Sequence, residues 1–139
     1  MTSYVLDACA MVALINKEGG SQKVDKLFHQ AFNGEIKLFM SIINLLEVRY
    51  GFIGEIGITK TQEIMKAIDE TPLEIINTIS QQAYNEAARI KGTYRKLSLA
   101  DSVGIATAVE LDGIFVTSDH HELEAIVEKE PSFNFFWFR

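Results

Sequence analysis

The 139-residue chain has one cysteine, two prolines and no excess of positive charge, and each scarcity removes a class of explanation. A lone thiol, Cys9, cannot close an intrachain disulfide, and there is no second thiol for a Cys-type zinc site. The two prolines, Pro72 and Pro131, both fall just after helical patterns and interrupt none. No apolar run approaches the ~20 residues that a transmembrane helix needs. The N-terminus also lacks a basic region followed by a long apolar segment and a cleavage site. The expectation is a cytoplasmic protein with no membrane partner. No internal repeat or low-complexity segment occurs, and the length suits one domain, residues 1–139, with a single well-filled core. A net charge of −6 runs against a nucleic-acid partner, because phosphate binding is driven by Lys and Arg and by counterion release. Four of those charges, however, are acids singled out below, and a bound divalent cation would offset two more. Global charge therefore does not exclude a nuclease.

What is present is an alternation of strand and helix patterns. Tyr4–Leu6 reads as a short strand and Ala10–Asn16 as a helix ending before Gly19-Gly20. Ser21–Phe32 is helical, with Val24, Leu27, Phe28, Ala31 and Phe32 on one stripe and Gly34 as its stop. Ile36–Met40 follows as a strand, Ile42–Ile53 and Thr59–Glu70 as helices, and Leu73–Ile76 as a third strand. Ser80–Lys91 and Ser98–Leu111 are helices, Gly113–Thr117 a fourth strand, Glu122–Lys129 a last helix and Phe133–Phe138 a fifth strand. Alternation without hairpin signals predicts a mostly parallel sheet covered on both faces, with right-handed crossovers. The paired helices between strands exceed a minimal alternating unit and could wall a cleft above the sheet.

Four acids stand out against this pattern. Asp7 closes the first strand and Asp119 follows the fourth, and strand ends are where α/β folds put chemistry. Glu47 and Asp101 lie in the helical stretches "INLLEVRYG" and "SLADSVGIATAVEL", where a carboxylate among apolar residues needs a partner. Each also has an ordinary explanation. Asp7 is a good N-cap for the helix after it, Ser98 and Asp101 have capping-box spacing, and Asp119 could cap the final helix with Glu122 three residues on. Glu47 resists that account, since it sits mid-helix between Leu46 and Val48. An ion pair with Arg49 fails because i,i+2 residues do not face each other on a helix. Asn44, Glu47 and Gly51 share a stripe, and Gly104 lies at i+3 from Asp101, so small residues could leave room for a ligand. Carboxylates gathered without a cation would repel one another, and hard oxygen donors suit Mg²⁺ or Mn²⁺. With such an ion, a cluster of this kind can activate water and stabilise both oxygens of an in-line phosphodiester hydrolysis.

Four segments in order resemble the PIN domain, the fold of a large family of metal-dependent ribonucleases and of the toxins in VapBC-type toxin–antitoxin modules. They are Val5-Leu6-Asp7-Ala8-Cys9, Leu45-Leu46-Glu47-Val48-Arg49-Tyr50-Gly51, the run from Leu97 to Ala108 around Asp101, and Phe115-Val116-Thr117-Ser118-Asp119. The resemblance spans nearly the whole chain. It implies an α/β/α sandwich around a parallel five-stranded sheet of order 3-2-1-4-5, with Asp7 and Asp119 flanking the crevice where the chain reverses direction. It also implies that Asp7, Glu47 and Asp101 hold Mg²⁺ or Mn²⁺ directly and Asp119 directly or through water. RNA is the implied substrate, and a cognate antitoxin the implied partner, docking over the cleft between the Ile42–Ile53 and Thr59–Glu70 helices. A homodimer is a further expectation. The chain departs from the family at Cys9, where many relatives carry Ser or Thr. A thiol is a poorer hydrogen-bond partner, and its ordinary role is a small buried hydrophobe. Ser118, beside the fourth acid, is a further auxiliary candidate.

Other segments carry two readings each. Arg89–Lys96 holds four cations and an aromatic residue just ahead of Asp101. Lys91, Arg95 and Lys96 could contact an RNA backbone, or complement a helix C-terminus. His120 and His121 are either solvated residues at a helix start or zinc ligands, the latter disfavoured by the hard oxygen set. The aromatic tail Phe133–Phe138 must be covered, as a fifth strand or by a partner. Among competing functions, an RNA-processing nuclease without antitoxin and a catalytically silent scaffold share the same fold. A phosphoryl-accepting signalling domain would bring paired acids after the first strand and a Lys near the last, whereas Asp7 is preceded by Val5-Leu6 and the fifth strand has no Lys. An Asp-x-Asp phosphatase is disfavoured because residue nine is Cys.

Overall fold

The computed structural model describes residues 1–139. The chain runs β1 (Ser3–Leu6), α1 (Ala8–Asn16), α2 (Ser21–Phe32), β2 (Lys37–Ser41), α3 (Ile42–Ile56), α4 (Ile58–Asp69), β3 (Glu74–Ile76), α5 (Gln81–Thr93), α6 (Leu99–Glu110), β4 (Ile114–Thr117), α7 (His120–Lys129) and β5 (Phe135–Trp137). Every element expected from the sequence is present. The starts differ most where a cap sets them. Asp7 caps α1, which therefore begins at Ala8 and not Ala10, and Asp119 caps α7, which takes in His120 and His121 ahead of Glu122. The fifth strand pairs only over Phe135–Trp137, within the broader aromatic run.

The five strands form one sheet of order β3-β2-β1-β4-β5, and every pairing is parallel. Period-two alternation divides the strand side chains between two cores. Leu6, Leu38, Met40 and Val116 face one side and pack with Met11 of α1, Leu27 of α2, Val48 of α3 and Ile68 of α4. Val5, Phe39 and Phe115 face the other and pack with Ile90 of α5, Ile105 of α6 and Leu123 of α7. Strands buried on both faces are the usual case in parallel sheets, which is why β1, the middle strand, reads as apolar from Tyr4 to Leu6.

The chain steps outward from β1 to β2 and β3, then crosses back through α5 and α6 to place β4 on the other side of β1. The reversal falls between β1 and β4, and the crevice at their carboxyl ends is where ligands enter such sheets. One glycine ties the chain's end to this region. Gly20 has φ +85, and a Cβ there would stand 2.2 Å from the Phe138 carbonyl oxygen, so the α1–α2 turn and the segment after β5 meet as backbone against side-chain-free backbone. No helix is long and apolar enough to cross a membrane.

Candidate metal centre

Four acids from four separate segments line one pocket of about 200 Å³, together with Ala8, Cys9 and Ser98. Asp7 enters from the end of β1, Glu47 from the middle of α3, Asp101 from the first turn of α6 and Asp119 from the turn after β4. A wider depression of about 800 Å³ opens between Met1, Ile114, Val127 and Trp137, but its lining carries one carboxylate, Asp112. The acidic pocket is therefore the place where chemistry-bearing groups converge.

The capping explanations hold as well. Asp7 Oδ1 accepts from Ala10 N at 3.0 Å, Ser98 Oγ accepts from Asp101 N at 3.0 Å, and Asp119 Oδ1 accepts from Glu122 N at 3.2 Å. A carboxylate has about four acceptor positions, so capping a helix and facing a pocket are compatible. The caps hold the Asp7 and Asp119 carboxylates directly, whereas Ser98 caps α6 through the Asp101 backbone N–H. These acids thus stand at or within the first turn of three helices, where the partial positive charge of a helix lies.

Electrostatics report the convergence directly. Asp101 is pushed up to about 7, first by burial, then by the charge of Asp7, with Glu47 and Asp119 adding to it, while its bond to Ser98 pulls the other way. Burial raises Glu47, with Asp7 second. Burial raises Asp7 too, against bonds from Cys9, Thr117 and Ala10. Each of these shifts penalises the ionised form, and a cation reverses that penalty. The donor set is all hard oxygen, which fits Mg²⁺ or Mn²⁺. No three His, Cys, Asp or Glu side chains already close on a single point. Mg²⁺ dehydrates reluctantly and is ordinarily held by one or two carboxylates with several waters around it, so carboxylates spaced around a pocket are compatible with that ion.

Cys9 is part of this wall. Its Sγ donates to Asp7 Oδ1 at 2.7 Å and lies 3.4 Å from Ser118 Oγ. Burial, the charge of Asp7 and that bond push the thiol up to about 12. It is thus a neutral donor at physiological pH, standing where a hydroxyl would donate in the same way, and more than the small hydrophobe that its residue type suggests.

Gly104 behaves differently from its expected part. A Cβ there would lie 2.6 Å from Phe115 Cε1 and 2.9 Å from Asn44 Oδ1. Its smallness is consumed by the close approach of α6 to β4 and α3, and leaves no room for a ligand. Gly51, by contrast, has nothing within 4 Å of a built Cβ. Asn44 is fully buried, accepts from Ser41 Oγ at 2.6 Å, and carries the one buried side-chain nitrogen without a partner, Nδ2.

Within the basic segment, the structure sorts the cations. Arg89 bonds Glu86 and Glu130, and Tyr94 Oη donates to Glu130 at 2.7 Å, so these residues fasten α5 to the end of α7. Lys91 Nζ donates to the Arg95 carbonyl at 2.6 Å, closing the end of α5. Arg95 and Lys96 are exposed and lie close in sequence before Ser98 and Asp101.

Residues 4–129 match the PIN domain family. The chain belongs to the PIN domain family. No curated protein sequence matches it. Among solved structures, the PIN fold seen here is similar to VapBC from Salmonella typhimurium bound to DNA, with a TM-score of 0.74 and 17% identity over 100% of each chain. It is similar to VapBC2 from Rickettsia felis bound to a DNA fragment from its promoter, at TM-score 0.73 and 18% identity, covering 97% of this chain and 98% of that one. A toxin–antitoxin complex from Klebsiella pneumoniae follows at TM-score 0.67 and 20% identity, covering 98% of each. At these identities the likeness establishes the fold, and this PIN domain's four acids occupy the crevice that its strand order creates.

Sequence reasoning missed two contributors. Arg139 reaches the site's edge, with Nη2 3.2 Å from Ser118 Oγ, and no local pattern marks it because β5 carries it there from the far end of the chain. Thr117 is fully buried, accepts from Asp119 N at 3.2 Å and supports Asp7; its place two residues before Asp119 was the available signal.

Proposed function

We propose that this PIN domain is a Mg²⁺- or Mn²⁺-dependent endoribonuclease that hydrolyses RNA phosphodiester bonds in the cytoplasm, and that it is the toxin half of a toxin–antitoxin pair. The observation that carries the reading is the meeting of Asp7, Glu47, Asp101 and Asp119 in one pocket, with the Asp101 carboxyl pushed up to about 7 by burial and by the charges of the other three. Asp7, Glu47 and Asp101 would hold the ion and Asp119 would complete its surroundings. When bound, the cation supplies the positive charge that lets water attack phosphorus and the leaving oxygen depart. The chain's own part is positional. Asp7 is fixed by Cys9 and Ala10 N, Asp101 by the Ser98 cap, and Asp119 by Thr117 below it and the start of α7 beside it. Arg95 and Lys96, exposed and just ahead of Ser98 and Asp101 in the chain, would contact the RNA backbone.

The toxin assignment draws support from the fold's likeness to VapBC complexes and from an exposed apolar stripe beside the pocket. Leu46, Tyr50 and Ile53 lie at i, i+4 and i+7 on α3, continued by Ile56 and Ile58, and Tyr50 and Ile58 are 59% and 62% exposed. Such a face fits an amphipathic helix laid into a groove. A partner segment there would lie next to Glu47 and could cover the acids.

The test is incubation of the purified chain with total RNA, with Mg²⁺, Mn²⁺ or EDTA, beside Asp101→Asn. Cleavage that needs the ion and disappears in the variant is the expected result, and undiminished cleavage in a demetallated sample overturns it. Growth arrest on expression, relieved by co-expressing a neighbouring small gene product that co-purifies, is expected of a toxin. Cleavage without growth arrest or a co-purifying partner favours an RNA-processing enzyme.

A further inference from the structure

Next to Asp119 the structure builds a ladder of rings that the hydrolytic site does not use. The His120 imidazole stacks on Trp137, with 4.2 Å between ring centres and 19° between planes, and Trp137 stacks on Phe135 at 5.5 Å and 19°. The His120 ring is held on both sides. Nδ1 meets Glu124 Oε1 at 3.0 Å and Nε2 meets the Arg139 carbonyl at 2.7 Å. The side chain is nonetheless 45% exposed. Phe135 and Trp137 pack against the core on the α5–α7 side, which accounts for them. Core packing does not account for an exposed ring locked by both nitrogens with one face on tryptophan.

The residue whose carbonyl holds that ring also carries a cation. Arg139 contacts Ser118 Oγ at 3.2 Å, the Gly19 carbonyl at 3.3 Å and Glu18 at 3.5 Å, with its guanidinium 5.4 Å from the Phe138 ring centre. Ser118 Oγ in turn lies 3.4 Å from Cys9 Sγ, in the wall of the acidic pocket. The pocket's acids repel a phosphodiester, so a strand that reaches them needs attraction from groups around them. Stacking on a ring supplies attraction without regard to charge, since every base has a π-face, and a guanidinium supplies a phosphate contact. A paired base inside a duplex offers no free face.

We infer that His120, backed by Trp137, is a stacking platform for an unpaired nucleobase, and that Arg139 holds a phosphate of the same strand beside it. The inference adds a base-stacking subsite beside Asp119 and rests on the nuclease reading for the position of the strand. The platform discriminates unpaired from paired segments and is tolerant of base identity.

The experiment uses the full chain carrying Asp101→Asn, with Mg²⁺ present, and an unstructured fluorescent oligoribonucleotide made intact and with one abasic position at a time. One abasic position is expected to weaken binding about tenfold or more, the usual effect of losing one base stack on an aromatic ring. His120→Ala should bind the intact strand weaker by a similar factor, and that abasic position should then no longer matter. His120→Phe, which keeps a ring, should stay within about twofold of the parent. Trp137 is the chain's only tryptophan, so its fluorescence should change on binding in the parent and in His120→Phe. Equal affinity for every abasic strand overturns the inference, as does His120→Phe binding as weakly as His120→Ala. Absence of RNA cleavage by the chain with Asp101 intact would instead defeat the nuclease reading, while the abasic series still decides the platform.

Discussion

Replacing Asp101 with Asn should make the metal-free protein more stable, and only above a defined pH. The carboxyl is pushed from 3.8 to about 7 in the folded chain. Below pH 4 it is protonated in both folded and unfolded states and contributes no pH-dependent term. Between pH 4 and 7 the unfolded chain ionises while the folded one resists, so stability falls as pH rises. Above 7 both are ionised and the full penalty remains. About three pKa units correspond to roughly 4 kcal/mol at 1.36 kcal/mol each. Part of that returns when the neighbouring acids relax and solvent screens a partly exposed group, so about 2 kcal/mol is a working figure. For a chain of this size 1 kcal/mol moves Tm by roughly 3–4 °C. Asp101→Asn should therefore melt about 6–8 °C above the parent at pH 8 without metal, and within a degree or so of it at pH 4. Adding Mg²⁺ should raise the parent's Tm by ligand linkage and narrow the gap, since the variant lacks one donor. Thermal melts at pH 4, 6 and 8, with EDTA and with Mg²⁺, decide it. A variant that is less stable at pH 8, or a gap independent of pH, refutes the picture of acids held together against their own repulsion.

Three further outcomes follow from named contacts. Gly104→Ala must push a methyl toward Phe115 Cε1 and Asn44 Oδ1, so it should destabilise by about 1–3 kcal/mol in urea unfolding, whereas Gly51→Ala, with open space, should be neutral or slightly stabilising; the reverse order would show that the α6–β4 approach is not tight. Cys9, held up to about 12, should alkylate with iodoacetamide at pH 8 far more slowly than the same thiol in the urea-unfolded chain, because the thiolate is the nucleophile, and comparable rates would place the thiol outside its hydrogen bond to Asp7. Arg95→Ala with Lys96→Ala, in an Asp101→Asn background, should flatten the salt dependence of RNA affinity by about one unit of slope per lost phosphate contact, while Lys91→Ala, whose ammonium closes α5, should act mainly on stability; an unchanged slope in the double variant returns that segment to a solvated helix end.

The order of elements, the parallel sheet and the identities of the four acids were legible in the sequence because they are local or periodic properties. A period of two or 3.6 in apolar residues marks a buried strand or a helix face, and acids at strand ends, or isolated within an apolar helix, are visible without coordinates. Helix starts were less legible, since Asp7 and Asp119 each admit capping and chemistry as rival explanations, and in the structure both residues cap a helix while also lining the acidic pocket. Gly104 marks the limit of reasoning from residue type. A small side chain near an acid signals space, and whether a ligand or a neighbouring phenylalanine fills it depends on how far α6 stands from β4. The sorting of the Arg89–Lys96 cations, the turn of Cys9 toward Asp7, the stacking of His120 on Trp137 and the reach of Arg139 to Ser118 are likewise tertiary outcomes. Each depends on distances between segments remote in sequence, set by strand order and helix packing, and a linear pattern carries no information about those distances. By itself, the sequence determined which groups could do chemistry and what fold would gather them; the packing of β1 against β4 and of α6 against both decided which of those groups stand close enough to feel one another's charge.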